Sequence, residues 1–171
     1  MASTHPPRSP DAFDPSMPND VSAVLAHAQA LQRAALAGRT PPLLRGKNLG
    51  LLCASDDSAD DNSEATLFRR AATELGAHVA HIRASLSDLS TAQEVQHTAR
   101  LLGRLYDAVE CQGLSAALMR QLAQAVDMLV FEAIASATHP TARLADQLDA
   151  ASSAADRRRF VLQAVLLSSL E

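Results

Sequence analysis

Residues 43–76, LLRGKNLGLLCASDDSADDNSEATLFRRAATELG, decide the fold. An apolar segment at 49–54 predicts a strand. The residues from 62 to 75 predict a helix that stops at Gly76, because glycine readily adopts the left-handed conformation of a helix C-cap. The turn between them, 56–61, is acidic. A strand followed by a turn and a helix N-terminus is where α/β proteins bind anions, since free backbone N–H groups point into the crevice. In this chain carboxylates occupy that place.

The alternation of short apolar segments with amphipathic ones continues along the chain. Strands alternating with helices indicate βαβ units and a parallel sheet. The sequence therefore predicts an α/β fold, a three-layer sandwich around a four-stranded parallel sheet with N- and C-terminal helices packed on it. The predicted strands are 49–54, 77–82, 106–111 and 127–131, and the predicted helices run from about residue 20 to 38 and over 62–75, 91–105, 114–125, 141–150 and 154–170.

The domain organisation follows from composition. Residues 1–19 hold five of the eight prolines and predict a disordered tail. Residues 20–150 form the predicted α/β domain, and 151–171 form a helix too apolar to stand free, so we expect it to dock on the same domain. Three arginines in its first turn, 157–159, oppose the helix dipole. They either face negative groups or form a solvated basic turn.

Charge and composition exclude several classes of partner. The formal net charge of −4 provides no basic surface for nucleic acid. No apolar run approaches the roughly 18 residues that span a bilayer, and residues 1–15 lack the apolar core of a signal peptide, so we expect a cytoplasmic protein without a membrane partner. Cys53 and Cys111 are predicted to be small core residues. No cofactor and no metal site is predicted from ligand spacing.

Four segments resemble one family in order and spacing: LRGKNLGLL (44–52), the helix that ends in LGA, EVQHTARLLGRLYDAVE (94–110) and HPTARLADQL (139–148). They resemble the amino-terminal, carbamoyl-phosphate-binding half of the aspartate/ornithine carbamoyltransferases. The segment RRFVLQAVLL (158–167) is similar to the carboxy-terminal helix of those enzymes. Between these pieces the family carries a second, amino-acid-binding domain, and here residues 149–155 stand in its place.

The resemblance also implies where a site would lie and how it has changed. The family's phosphate loop, Ser-Thr-Arg-Thr-Arg, falls on residues 61–65, which contain neither arginine. The family arginine after the third strand falls on Gln112. The histidine that helps to polarise the carbamoyl oxygen matches His139, while the glutamine of the same motif becomes Ala142. An arginine of the phosphate site in ornithine enzymes matches Arg158.

These changes bear on activity. Carbamoyl phosphate is a dianion, and its binding needs preorganised positive charge. Exchange of three arginines for the neutral residues Ser63, Ala65 and Gln112, beside the added acids of the 56–61 turn, would weaken its binding by on the order of 5–10 kcal/mol. We therefore predict no useful carbamoyl transfer. The acidic turn itself is either a solvated loop with Asp61 as the N-cap of the following helix, or a site for a divalent cation or an amine.

Two functions stay open on this basis. The first is a non-catalytic module that self-assembles or senses a small ligand, with a trimer expected because the family forms trimers through this half. The second is an enzyme or binder that uses the altered crevice for a different small substrate. An Arg158 side chain directed towards His139 would favour the enzyme or binder, and an Arg158 side chain in solvent would favour the non-catalytic module. The ligand-binding candidates are Asn62, Ser63, Gln112, His139 and Arg158, with no catalytic residue and no metal ligand assigned.

Overall fold

A computed structural model describes residues 18–54, 63–83, 85–88 and 90–171. Most of the predicted tail lies outside these ranges. The elements alternate as the sequence predicts, and a 3₁₀ helix precedes the last α-helix. In chain order they are α1 (Pro18–Leu36), β1 (Asn48–Cys53), α2 (Glu64–Glu74), β2 (His78–Ile82), α3 (Ala92–Leu105), β3 (Ala108–Gln112), α4 (Ala116–Ala125), β4 (Leu129–Glu132), the 3₁₀ helix (Pro140–Gln147) and α5 (Ala154–Leu170).

The four strands form one parallel sheet in the order β2-β1-β3-β4. This confirms the predicted fold class, an α/β sandwich with helices on both faces of a four-stranded parallel sheet. Strand β2 lies on one side of β1 and β3 on the other. The connections that follow β1 and β3 therefore run in opposite directions along the sheet, and the switch point lies between these two strands. In register, Leu51 of β1 lies beside Glu110 of β3, which lies beside Phe131 of β4.

The hydrophobic core has two parts, one on each face of the sheet. On one face, α1, α2 and α5 pack together with side chains such as Leu51 and Phe131. On the other, α3 and α4 cover Leu52, Val109 and Cys111. Helix α5 is central to the first layer, since nine consecutive residues, Arg159–Leu167, are buried. Such all-round burial explains why the sequence of this helix is apolar on every side.

Polar contacts fasten α5 to its neighbours. The Arg159 guanidinium forms an ion pair with Glu74 of α2, with 2.8 Å between Nε and Oε2. Gln163 donates to the carbonyl oxygen of Ala71 at 3.2 Å and to Glu74 at 3.1 Å. Arg159 also contacts Asp156 within its own helix. Of the two interpretations of the arginine turn, the structure therefore favours negative partners for Arg159. The division of the chain into a tail, a domain and a docking helix stays a prediction.

Several local predictions need correction. Helix α1 begins at Pro18, so the last two residues of the predicted tail are helical. The spacing of apolar residues predicts Leu36 on the buried face of α1, but at the end of the helix its side chain is 58% exposed. The N-cap of α2 is Ser63 rather than Asp61, since the Ser63 hydroxyl accepts the Thr66 N–H at 3.1 Å.

The segment after His139 was predicted as an α-helix, and it forms a 3₁₀ helix instead. Its connection to α5 is short, which leaves little chain to extend the helix. There the side chain of Gln32 accepts from the Asp149 N–H at 3.0 Å and donates to the Asp149 carbonyl oxygen at 2.7 Å. These bonds to α1 hold the backbone out of a helical path at residue 149.

Candidate functional site

The candidate site lies at the carboxyl edge of the sheet, where α/β proteins bind ligands at the point of topological switch. Here β1 ends at Cys53 and β3 at Gln112, and the two strand ends are close. The Ala54 N–H donates to the Gln112 carbonyl oxygen at 3.0 Å. Gly113 has a positive φ of 73°, and a Cβ there would lie 3.3 Å from the Ala54 side chain. Glycine is thus needed for β3 to leave the sheet at this point.

Gln112 is half-buried at the end of β3, and its amide is bound within the protein. Its Nε2 donates to Oε1 of Glu110 at 3.3 Å. Its Oε1 lies 3.7 Å from the Cys53 thiol, close enough for a weak S–H hydrogen bond. The side chain expected to contact a ligand therefore already has partners on the neighbouring strand and on its own.

Glu110 is the residue that sequence reasoning missed. Its side chain is 0% exposed, and its Oε2 has no hydrogen-bond partner. Burial raises the pKa of this carboxyl to about 7, although the Gln112 amide and the backbone N–H groups of Ile134 and Ala135 act in the opposite direction. The available signal was the period of two along β3, which places Glu110 on the same face as buried Ala108.

A tight turn, residues 133–136, follows β4 and covers Glu110. Ala133 has a φ of 47°, a left-handed backbone conformation that is energetically unfavourable for residues other than glycine. The Ala133 N–H donates to the Cys111 carbonyl oxygen at 3.0 Å, and the Ser136 N–H closes the turn onto the Ala133 carbonyl oxygen at 2.9 Å. A backbone hydrogen bond thus joins the start of the turn to β3, and a second one closes the turn between its first and last residues.

Arg158 of α5 holds the same turn from the helix side. Its Nη2 donates to the carbonyl oxygens of Ile134 at 2.9 Å and of Ser136 at 2.8 Å. Its Nε and Nη1 are buried without hydrogen-bond partners. Burial lowers the pKa of Arg158, and the carboxylate of Glu64 acts against that effect. The side chain is thus directed towards the loop that carries His139.

His139 is half-buried and caps the 3₁₀ helix. Its Nδ1 accepts the backbone N–H of Thr141 at 3.3 Å and lies 2.8 Å from the Thr141 hydroxyl. An Nδ1 that accepts from a backbone N–H leaves the proton of the neutral ring on Nε2. Burial, followed by the charge of Arg158, lowers the pKa of His139. At neutral pH the residue therefore presents a neutral N–H donor.

A cavity of about 460 Å³ opens beside His139. Residues of β4 and of the 133–136 turn line it, together with Val165 of α5. The polar groups around it come from Ser136, Thr138, His139 and Glu132. The volume suits a small molecule.

Among the described candidates His139 lines this cavity, whereas Ser63, Gln112 and Arg158 do not. Ser63 starts α2, where its hydroxyl donates to the Thr66 hydroxyl at 3.0 Å in addition to capping the helix. Asn62 and the acidic turn at 56–61 lie outside the described residues. Within the described ranges, no group of three or more His, Cys, Asp or Glu side chains could hold a metal ion. The two cysteines are free, and Cys53 is half-buried rather than fully buried as expected.

Residues 13–151 match the family described as aspartate/ornithine carbamoyltransferase, carbamoyl-P binding domain. The chain belongs to this family. The ornithine carbamoyltransferase of Cutibacterium acnes is 35% identical over 121 residues, which are 71% of this chain and 35% of the relative. That of Actinobacillus pleuropneumoniae is 33% identical over 129 residues, 75% of this chain and 37% of the relative. The chain thus spans about a third of the length of these carbamoyltransferases.

Solved carbamoyltransferase structures share the fold. Ornithine carbamoyltransferase from Pyrococcus furiosus superposes with a TM-score of 0.64 at 22% identity, covering 80% of this chain and 43% of the other. Aspartate transcarbamoylase from Trypanosoma cruzi, in complex with carbamoyl phosphate and aspartate, has a TM-score of 0.60 at 21% identity, with 80% and 44% covered. No helix in the described part of this chain is long and apolar enough to cross a membrane.

Proposed function

We propose that this carbamoyltransferase-family domain binds a small ligand in the cavity between β4 and His139 and does not transfer carbamoyl groups. The observation that carries the proposal is the position of Arg158. Its Nη2 donates to the carbonyl oxygens of Ile134 and Ser136, in the loop that leads to His139. An arginine in solvent would have favoured a purely assembling module. Its direction favours a binding function for the crevice.

The charge at the switch point supports the absence of carbamoyl transfer. Gln112, at the position where the family resemblance puts an arginine, is bonded to the buried carboxyl of Glu110. Glu64 of α2 lies near enough to raise the pKa of that carboxyl. Two unit charges about 4 Å apart interact by roughly 4 kcal/mol at an effective dielectric constant of 20. The charge of Glu64, and that of the buried Glu110 when it is ionised, would repel a dianion at this end of the sheet, where the reaction requires attraction.

The hydrogen-bonding groups at the cavity indicate which ligands fit. His139 offers a neutral Nε2–H donor, and the buried guanidinium of Arg158 supplies one positive charge nearby. A carbonyl oxygen or a single carboxylate matches one donor and one positive charge, whereas a phosphate dianion requires more of both. Ser136 and Thr138 add hydroxyl groups at the rim. We therefore infer an uncharged carbonyl compound or a monocarboxylate such as an amino acid.

The experiment is calorimetric titration and thermal shift of the purified chain with amino acids, inorganic phosphate and carbamoyl phosphate. We expect saturable binding of a carboxylate or carbonyl compound and none of either phosphate. His139→Asn should abolish binding and leave stability unchanged, because asparagine can still cap the 3₁₀ helix. Arg143→Gln, at an exposed site, is the matched control. Absence of any ligand effect together with a stable oligomer would instead support an assembly function.

The oligomeric state forms the second part of the proposal. Leu101 and Leu105, one turn apart on α3, are 52% and 55% exposed. Apolar side chains paired on one helix face are typical of contact surfaces. They support self-association, and the resemblance to carbamoyltransferases makes a trimer in the cytoplasm our expectation. Light scattering on the wild type and on Leu101→Gln/Leu105→Gln tests it, with a smaller mass expected for the double variant.

A further inference from the structure

Thr141, near the start of the 3₁₀ helix, is buried with 1% of its surface exposed. Its backbone N–H donates to Nδ1 of His139 at 3.3 Å, and its hydroxyl lies 2.8 Å from the same nitrogen. A ring nitrogen of histidine either accepts through its lone pair or carries a proton. Because a backbone N–H can only donate, Nδ1 is the acceptor, and the hydroxyl of Thr141 donates to it as well.

The Thr141 hydroxyl has no second partner in the part of the chain that the structure describes. A proton on Nδ1, in the other neutral tautomer or in the charged ring, would therefore leave two buried donors of Thr141 without an acceptor. Buried donors without partners are unfavourable. The neutral His139 ring with its proton on Nε2 is the form that satisfies both.

Backbone hydrogen bonds fix the position of this ring. The His139 N–H donates to the Ser136 carbonyl oxygen at 3.1 Å, and the His139 carbonyl oxygen accepts the Ala142 N–H at 2.9 Å. The Ser136 carbonyl oxygen also accepts from Nη2 of Arg158. Among the described residues Nε2 has no partner, and it is not one of the buried atoms that lack one. Since His139 lines the cavity, Nε2–H is the ring group available to a ligand.

We propose that Thr141 is a positioning residue that fixes His139 as a hydrogen-bond donor to the cavity and thereby selects ligands that bring an acceptor. The proposal rests on the binding function proposed above and names the group that gives it selectivity. A carbonyl or carboxylate oxygen accepts from Nε2–H, whereas an amine would place a donor against a donor.

The charges around the ring identify the competitor that tests this selection. Burial, followed by the charge of Arg158, lowers the pKa of His139 and so acts in the same direction as Thr141. Glu132 also lines the cavity and would attract a positively charged ligand. An alkylammonium ion is therefore the ligand that charge alone would favour and that the Nε2–H donor should reject.

The test is ¹⁵N NMR of the histidine rings in the ligand-free full chain, where chemical shifts distinguish the two tautomers. We expect His139, identified by the loss of its signals in His139→Asn, to be the neutral Nε2–H tautomer at neutral pH. Thr141→Val lacks the hydroxyl and should show an admixture of the other tautomer and a raised pKa of His139. Thr141→Ser keeps the hydroxyl and should retain the wild-type spectrum. Thr73→Val, the same exchange at an exposed position of α2, is the matched control.

Selection is measured on the same samples with butanoate and butylamine as probes of matched length. Butanoate should shift the Nε2 resonance of His139, and butylamine should not. In Thr141→Val the affinity for butanoate should fall by about 2- to 10-fold, because a smaller fraction of the rings presents Nε2–H.

A wild-type His139 ring with its proton on Nδ1, or a Thr141→Val spectrum identical to the wild type, would overturn the positioning role without any ligand. If Thr141→Val does not fold, the wild-type and Thr141→Ser spectra decide, because both must show the Nε2–H tautomer. Binding of butylamine at this ring would overturn the selection. Failure of both probes to bind would contradict the binding function and the selection with it, while the ligand-free spectra decide the tautomer independently.

Discussion

Gln112 donates from Nε2 to Oε1 of Glu110 at 3.3 Å, and this bond joins the end of β3 to the only glutamate in the described ranges that is fully buried. At the carboxyl end of β3, the Gln112 amide is therefore paired with a buried acid. The electrostatic character of this strand end follows from the pair, since the amide brings no charge and the acid becomes negative as the pH rises.

The first prediction concerns the pH dependence of stability. The pKa of Glu110 is raised from its ordinary value of 4.5 to about 7 in the folded protein. The folded state thus binds the proton more tightly than the unfolded chain. The contribution of Glu110 to the free energy of unfolding is therefore complete below about pH 4.5 and is lost as the pH rises through about 7. At about 1.4 kcal/mol per pKa unit, the loss amounts to roughly 3 kcal/mol.

Urea unfolding at several pH values measures this effect. Glu110→Gln should remove the loss, so that its free energy of unfolding varies less between acid and neutral pH than that of the wild type. Glu132→Gln, at an exposed position, should follow the wild type. Parallel pH profiles for the wild type and Glu110→Gln would show that the carboxyl does not titrate as described.

The second prediction concerns Arg158. Replacement by glutamine removes two hydrogen bonds from a charged donor to the carbonyl oxygens of Ile134 and Ser136. Bonds of this kind contribute about 1.5–3 kcal/mol, and relief of the unpaired Nε and Nη1 offsets part of the loss. We expect a destabilisation of about 1–3 kcal/mol by chemical denaturation. The control Arg143→Gln should change stability by less than about 0.5 kcal/mol.

The third prediction compares two ion pairs that share Glu74. Its pair with Arg159, whose side chain is 11% exposed, should contribute to stability, whereas its pair with the exposed Arg70 should contribute little. Glu74→Gln leaves the Arg159 charge without its α2 partner and should cost about 1–3 kcal/mol, because Glu74 is itself partly solvated. Arg70→Gln should cost about 0.5 kcal/mol or less. Equal thermal shifts in the two variants would contradict the proposed docking contact of α5.

The fourth prediction contrasts two glycines. Gly76 has a φ of 87°, and a Cβ there would lie 2.9 Å from the Cβ of Pro42, so Gly76→Ala should destabilise by about 1–3 kcal/mol. Gly103 is helical, and its Cβ would meet Val126 at an ordinary 3.5 Å. Gly103→Ala should therefore stabilise by about 0.5–1 kcal/mol. Thermal melting measures the change in Tm of each variant. A change of the same sign in both would contradict the difference predicted between Gly76 and Gly103.

The fold could be predicted from sequence because its signals are local. Each predicted strand corresponds to an observed one within about two residues, since short apolar segments between helices have few alternative structures. Helix ends were less predictable because they depend on which polar side chain reaches the free N–H groups. Several acids precede α2, yet Ser63 caps it. The sequence alone does not rank these competing caps.

The candidate site could be predicted only in part. His139 and Arg158 were named from the family resemblance, and the structure brings them to one loop through the carbonyl oxygens of Ile134 and Ser136. Glu110 was not named because the period of two along β3 places it on the face of Ala108 but does not show what covers that face. Its surroundings come from β1, α2 and the 133–136 turn, which are distant in sequence. That kind of information requires the tertiary structure.

Calorimetric titration of the purified chain with carbamoyl phosphate tests the central claim most directly. The account predicts no saturable heat, and no citrulline or carbamoyl-aspartate when ornithine or aspartate is added, because neutral residues, Ser63, Ala65 and Gln112, stand where the family resemblance puts arginines. Saturable binding of carbamoyl phosphate at low concentration, or formation of either product, would contradict it.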